Sequence, residues 1–160
     1  MVLQESHIRN AQIVVTTNKG QKFKGLARQR RLASIVVLFT GSVKNVFKPS
    51  VENITKSIGD LIGYKNVDYE KVIDNVKGLI ANIDKIDPLI TKYAPRRKLD
   101  DMDLVLLSII RHSIYEGFIV KCTPEKVVIN EAIEISKIYL EKSKTKFISG
   151  LLGTIYEKND

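Results

Sequence analysis

The sequence predicts an all-α fold, a single compact bundle of about seven helices, and three observations carry that reading. Apolar residues recur at three- and four-residue spacing along nearly all of the chain after residue 25. The stretches between those patterns are short, and no Pro/Gly/Ser-rich linker or repeat of fixed period divides them. The composition is that of a folded protein: 44% of the 160 residues are hydrophobic and 28% are charged. A chain of that length is expected to bury roughly two-thirds of the surface it exposes when unfolded.

Residues 1–25 are the exception to helical patterning. Ile13-Val14-Val15-Thr16-Thr17, then Asn18-Lys19-Gly20, then Gln21–Lys24 would suit a small hairpin. A disordered basic extension is the competing reading, because an isolated hairpin is marginal in water. The helical domain is expected over 26–160. Its first helix runs from about Leu26 to Gly41, with Leu32, Ile35, Val36 and Phe39 inward. A second follows Pro49-Ser50 and places Val51, Ile54, Ile58, Leu61 and Ile62 on one face. A third begins after Asp68, a plausible cap, and uses Val72, Ile73, Val76, Leu79, Ile80 and Ile83. Asp87-Pro88 is expected to start a short fourth helix that ends before Pro95, since the residue before a proline is pushed out of the helical region.

The fifth helix carries the widest apolar face, with Met102, Val105, Leu106, Ile109, Ile110, Ser113 and Ile114, and so is expected to be central. The last two are an amphipathic pair joined by a lysine-rich turn. Thr123 reads as the N-cap of the sixth helix and Pro124 as its first residue, whose missing N–H costs nothing there. Val128, Ala132, Ile135 and Tyr139 make its apolar stripe, beside the polar Asn130 and Glu131, which are expected to bond neighbouring helices. Ser143 can cap the seventh, where Phe147, Leu151 and Ile155 form a second stripe with Ile148 and Leu152 beside them.

Catalytic and metal chemistry find little support. The single cysteine, Cys122, excludes an internal disulfide and a cysteine-type metal site, and it reads as a half-buried apolar residue. His112 has only Glu116 at a metal-ligand spacing and reads as a surface or boundary histidine. Asp100, Asp101 and Asp103 precede the fifth helix and suit N-terminal capping against the helix dipole. No GxSxG, Walker A or GxGxxG pattern occurs. The expectation is a protein that is not an enzyme and needs no cofactor or metal. The N-terminus lacks the apolar core of a signal peptide, and no apolar run approaches the ~20 residues that span a bilayer. A soluble, cytoplasmic protein with no membrane contact is therefore expected.

Charge is the informative part of the composition. The net charge of +8 points to an anionic partner. Arg28, Arg30 and Arg31 crowd the start of the first helix after Lys19, Lys22 and Lys24, with no acid between Glu5 and Glu52. Lys142, Lys144 and Lys146 occupy the turn before Phe147. Arginine forks pair with phosphates and stack on bases, so the two clusters favour RNA or another single strand over duplex DNA.

At this point particular segments carry a resemblance. IRHSIYE (Ile110–Glu116), PEKVVINEAIEISK (Pro124–Lys137) and KFISGLL (Lys146–Leu152) resemble the NusB family of bacterial transcription antitermination factors, and ARQRRLASIVVLF (Ala27–Phe39) is similar to its arginine-rich first helix. The resemblance implies an all-helical protein that binds the boxA element of ribosomal RNA leaders as single-stranded RNA. It also implies pairing with NusE, a small-subunit ribosomal protein, to help load an antitermination complex on RNA polymerase. By the same resemblance, RNA contacts map onto Arg28, Arg30 and Arg31, onto the aromatic Phe39, and onto Ser143, Lys144, Lys146 and Phe147 before and within the last helix. The sequence departs from the family pattern at Ser149, where the family carries asparagine.

Two other classes of function stand beside this one. The same helical domain fronts ribosomal RNA cytosine methyltransferases, although a chain ending at Asp160 is expected to lack room for the catalytic domain. A structural helical adaptor, its basic faces merely solvated, is the other. The sequence leaves open whether the protein is a monomer or a homodimer.

Overall fold

The computed structural model describes residues 25–44 and 51–159. Among the described residues the chain forms seven α-helices and no strand. They are α1 (Leu26–Lys44), α2 (Val51–Ile62), α3 (Tyr69–Ala81), α4 (Ile83–Tyr93), α5 (Leu104–Ile114), α6 (Glu125–Tyr139) and α7 (Lys142–Lys158). The chain divides into two compact units, Met1–Ile80 and Ala81–Asp160. The hairpin expected within residues 1–25 lies outside the described residues, Gly25 excepted.

In the first unit α1 packs on α2. From Leu32 to Thr40 every residue of α1 is buried, so this stretch of the helix is enclosed on all sides and does not present a single inward stripe. The two hydroxyl residues of that stretch are paired: Thr40 donates to the Val36 carbonyl at 2.8 Å, and Ser34 accepts from the Asn75 amide of α3 at 3.1 Å. Burial without those bonds would cost about 1–3 kcal/mol each. Helix α2 buries Val51, Ile54 and Ile58, and α3 buries Val72, Val76 and Leu79. Gly63 follows α2 with φ +68°, the left-handed conformation that ends helices and that glycine adopts without Cβ strain. As expected, Asp68 caps α3, its carboxylate accepting from the backbone N–H of Glu70 and Lys71.

The second unit is built around α5, which packs on α4, α6 and α7. Leu106, Ile109, Ile110 and Ile114 of α5 meet a core completed by Ile86 and Ile90, by Val128 and Ile135, and by Ile148 and Leu152, all of them buried. The N-cap of α5 is Asp103, whose Oδ1 accepts from Val105 and Leu106 at 2.9 and 3.1 Å. Past Ile114 the chain widens into one π-helical turn, Tyr115–Val120, and Lys121 then reverses it at φ +58°. Gly117 sits in that turn against Tyr156 of α7, whose hydroxyl donates to the Ser113 carbonyl at 2.8 Å.

Several local expectations are corrected. The fourth helix starts at Ile83, so Pro88 lies inside it. Only one backbone N–H is lost there, and Asp87 does not cap: its carboxylate accepts both Arg111 Nε and an Arg111 terminal nitrogen of α5 at 2.9 Å. Pro124, with ψ 141°, stands at the N-cap position of α6, and neither it nor Glu141 ahead of α7 caps through a side chain. Thr123 and Ser143 therefore do not serve as caps. His112 is buried, not at the surface, because it falls on the enclosed end of α5, and Cys122 is exposed on the loop after Lys121. Asn130 is exposed on α6.

Candidate nucleic-acid interface

The second unit gathers its cations where the chain leaves α4. Pro95 blocks continuation of the helix, and Arg97 donates its backbone N–H to the Ala94 carbonyl at 3.1 Å, which closes a turn. Arg96, Arg97 and Lys98 all stand exposed on it. Arg97 lies over Phe147 of α7, with its guanidinium carbon 4.1 Å from the ring centroid. A cation in that position is attracted by the negative face of the ring. A guanidinium held over a ring can still turn N–H donors toward an anion.

Two grooves adjoin this contact. One, of about 370 Å³, is lined by Tyr93, Pro95, Arg97, Lys146, Phe147 and Gly150 among others. The second, of about 610 Å³, has Arg96, Arg97, Lys98 and Lys144 along it, together with Asp101 and Asp103. Arg96 and Arg97 border both. The arrangement supplies an aromatic face, two guanidinium groups and three ammonium groups on one surface of the unit. That is the equipment for a polyanion carrying planar bases.

The residues singled out in the sequence fall as follows. Ser143, Lys144, Lys146 and Phe147 all lie on the first two turns of α7. Ser143 and Lys146 are exposed, while Lys144 and Phe147 are partly covered. Lys144 reaches across to Asp103, Nζ to Oδ2 at 3.3 Å. In the first unit Arg28, Arg30 and Arg31 occupy the opening turns of α1, whose first turn contains no acid. Cations at that end oppose the helix dipole, so the cluster is not explained by helix stability. Arg30 is exposed; Arg28 and Arg31 are half-buried and already engaged in polar interactions.

Phe39 is set apart from the rest. At 9% exposure it belongs to the enclosed segment of α1 and has no ring face to offer a base. Conversely, Arg96, Arg97 and Lys98 were missed by the sequence reading, although the run Pro95-Arg96-Arg97-Lys98 was there as a signal. A basic run directly after a helix-ending proline marks cations held on a turn. No group of three or more metal-ligating side chains occurs among the described residues, and no described helix is long and apolar enough to cross a membrane.

Comparison with known proteins agrees with the fold. Residues 28–157 match the NusB family. The transcription antitermination protein NusB of Desulforudis audaxviator is 28% identical over 131 residues, covering 82% of this chain and 93% of the relative. Its counterpart in Listeria innocua is 33% identical over 103 residues, or 64% of this chain and 79% of the relative. Among solved structures, T. maritima NusB superposes with a TM-score of 0.73 at 29% identity, covering 85% of this chain and 94% of that one. A chain in the crystal structure of a plectonemic RNA supercoil reaches a TM-score of 0.74 at 22% identity, over 82% of this chain and 94% of that one, a likeness that shows the fold alone. With the family match spanning most of its length, this chain belongs to the NusB family.

Proposed function

We propose that this protein is a non-catalytic antitermination factor that binds single-stranded RNA of the boxA type in a ribosomal RNA leader. It acts together with NusE, the small-subunit ribosomal protein, and the pair helps load an antitermination complex on RNA polymerase. The observation that carries the RNA reading is the stacked pair Arg97–Phe147, flanked by Lys146 and Arg96 on the same surface. A base can stack beside the ring while the guanidinium and ammonium groups take the neighbouring phosphates. The arginines at the start of α1, Arg30 above all, are proposed as a further phosphate contact. Membership of an antitermination family supports the regulatory context.

The test is a binding titration of the purified protein against a boxA-type single strand and a scrambled strand, each with and without NusE. The expected result is preference for the boxA strand, a one-to-one complex with NusE in size-exclusion chromatography, and tighter RNA binding by that complex. Two separate peaks at micromolar concentrations, with no discrimination between the strands, would favour a structural helical adaptor instead.

A further inference from the structure

The larger groove of the second unit contains its own competitor for the anion it is built to hold. Four cations line it, and two carboxylates, Asp101 and Asp103, stand among them. Asp103 divides its oxygens between two tasks. Oδ1 accepts the backbone N–H groups of Val105 and Leu106 and so caps α5. Oδ2 takes the Lys144 ammonium from α7 at 3.3 Å. Both side chains of that pair are about one-third exposed, 32% for Lys144 and 36% for Asp103. A pair so open to water is held weakly and can be exchanged for a stronger acceptor.

We propose that Asp103 acts as a built-in competitor of RNA phosphate for Lys144: it positions the lysine in the unliganded protein and lowers affinity for the polyanion by one displaceable contact. The proposal rests on the RNA-binding reading above. Its mechanism is an exchange of acceptors. A phosphate entering the groove meets Lys144 along the same wall as Arg96, Arg97 and Lys98, and Lys144 leaves Oδ2 for the phosphate oxygen. Asp103 keeps its backbone donors throughout, so α5 remains capped while the exchange occurs. Because the carboxylate stays charged beside the arriving phosphate, it also repels it, and non-specific polyanions gain less from this groove than its four cations alone would give.

The two roles of Asp103 separate in one substitution. Asparagine caps a helix about as well as aspartate does, so Asp103→Asn keeps the cap and removes the charge. Asp103→Ala removes both. Asp101→Asn removes a carboxylate from the same groove without touching the lysine contact, which is made by Asp103 Oδ2. The expected result for Asp103→Asn is unchanged thermal stability and roughly three- to tenfold tighter binding of a boxA-type single strand at low salt. Its log–log salt dependence should steepen by up to about 0.7, the single-strand value for one charge, because a carboxylate that opposes the phosphates is gone. Asp101→Asn should give a smaller gain, and the excess shown by Asp103→Asn should vanish in a Lys144→Gln background. A second readout needs no RNA: the rate at which an amine-reactive reagent labels Lys144 in the free protein should rise two- to fivefold in Asp103→Asn. Equal effects of the two aspartate substitutions, or an excess of Asp103→Asn over Asp101→Asn that persists with Lys144→Gln, would overturn the proposal. So would an unchanged labelling rate. Faster labelling of Lys144 in a set of proteins none of which binds RNA would overturn the RNA reading and the competition with it, leaving only the lysine contact.

Discussion

The guanidinium of Arg97 rests 4.1 Å from the centre of the Phe147 ring, joining the turn after α4 to the second turn of α7. Neither residue is placed by its own helix alone. Pro95 sets the turn that carries Arg97, and the buried Ile148 and Leu151 beside Phe147 fix the rotation of α7 and keep the ring at the edge of the core. The pair is therefore rigid on the ring side and adjustable on the arginine side, which suits a base that stacks beside a fixed aromatic face.

Phe147→Ala should accordingly weaken single-stranded RNA binding by the worth of about one stacked base, ~1–3 kcal/mol, or about 5- to 150-fold. Phe147→Tyr should keep most of the affinity, because the ring face is retained. Fluorescence anisotropy with a labelled strand checks both. An alanine variant that binds as tightly as the parent would remove Phe147 from the interface.

A second expectation concerns Gly117 in the π-helical turn. A Cβ built there would collide with the Tyr156 hydroxyl and lie 3.1 Å from Val128 Cγ2. Overpacking of this kind costs about 1–3 kcal/mol, so Gly117→Ala should lower stability by that amount. Tyr156→Phe removes the bond to the Ser113 carbonyl and should cost about 1 kcal/mol. Combined, the two should cost less than their sum, since the phenylalanine ring lacks the oxygen that meets the new methyl. Chemical denaturation of the four proteins measures this coupling, and strict additivity would contradict the geometry.

These residues also show what the sequence could reveal. Asp68 was legible as a cap because one side chain and two following N–H groups suffice for it, and the centrality of α5 was legible in the spacing of Leu106, Ile109 and Ile110. Helical spacing placed Phe39 inward and the family resemblance placed it among the RNA contacts; with Leu32–Thr40 buried all round, the burial follows the spacing and leaves the ring covered. The run LASIVVLFT offers almost no polar residue for an outer face, and that was the overlooked sign. Thr123 was assigned as a cap from residue type, but the extended ψ of Pro124 moves the boundary by one residue. The contacts of Arg97 with Phe147 and of Lys144 with Asp103 join residues far apart in the chain. No local pattern encodes them, so half of the candidate site became visible only with the fold.

Alkaline stability should depend on Tyr156. Burial raises the pKa of its hydroxyl well above the ordinary tyrosine value, with the carboxylates of Glu116 and Glu125 adding to the shift. The folded protein thus holds this proton more tightly than the unfolded chain does. The resulting stabilisation is complete below about pH 10, where the unfolded tyrosine is also protonated, and is lost as pH rises beyond it. One such group contributes a slope of at most about 1.4 kcal/mol per pH unit. Burial raises Tyr64, Tyr69 and Tyr115 in the same direction, so Tyr156→Phe should reduce the decline between pH 10 and 11.5 without abolishing it. Urea melts at stepped pH would show equal slopes if Tyr156 ionised freely in the folded state.

The last expectation separates RNA contact from folding. Arg30, Arg97 and Lys146 are all exposed, and exposed substitutions cost within about 0.5 kcal/mol each. Changing all three to alanine should leave the thermal midpoint within a few degrees of the parent. The same change removes three positive charges from the proposed contacts. If three to five phosphates are neutralised in the parent, its log–log salt slope is about −2 to −3.5 on single-stranded RNA, and the triple variant should lose about 2 units of slope and at least tenfold in affinity. Ile109→Ala is the opposite case. Its side chain is fully buried at the centre of α5, so truncation should cost about 2–5 kcal/mol through the cavity it leaves, while RNA affinity of the remaining folded protein stays near that of the parent. Binding isotherms at several salt concentrations, run beside thermal melts, test the pair together. A triple variant that unfolds early yet binds RNA at the parental slope would make these cations structural and would move the interface to another surface of the protein.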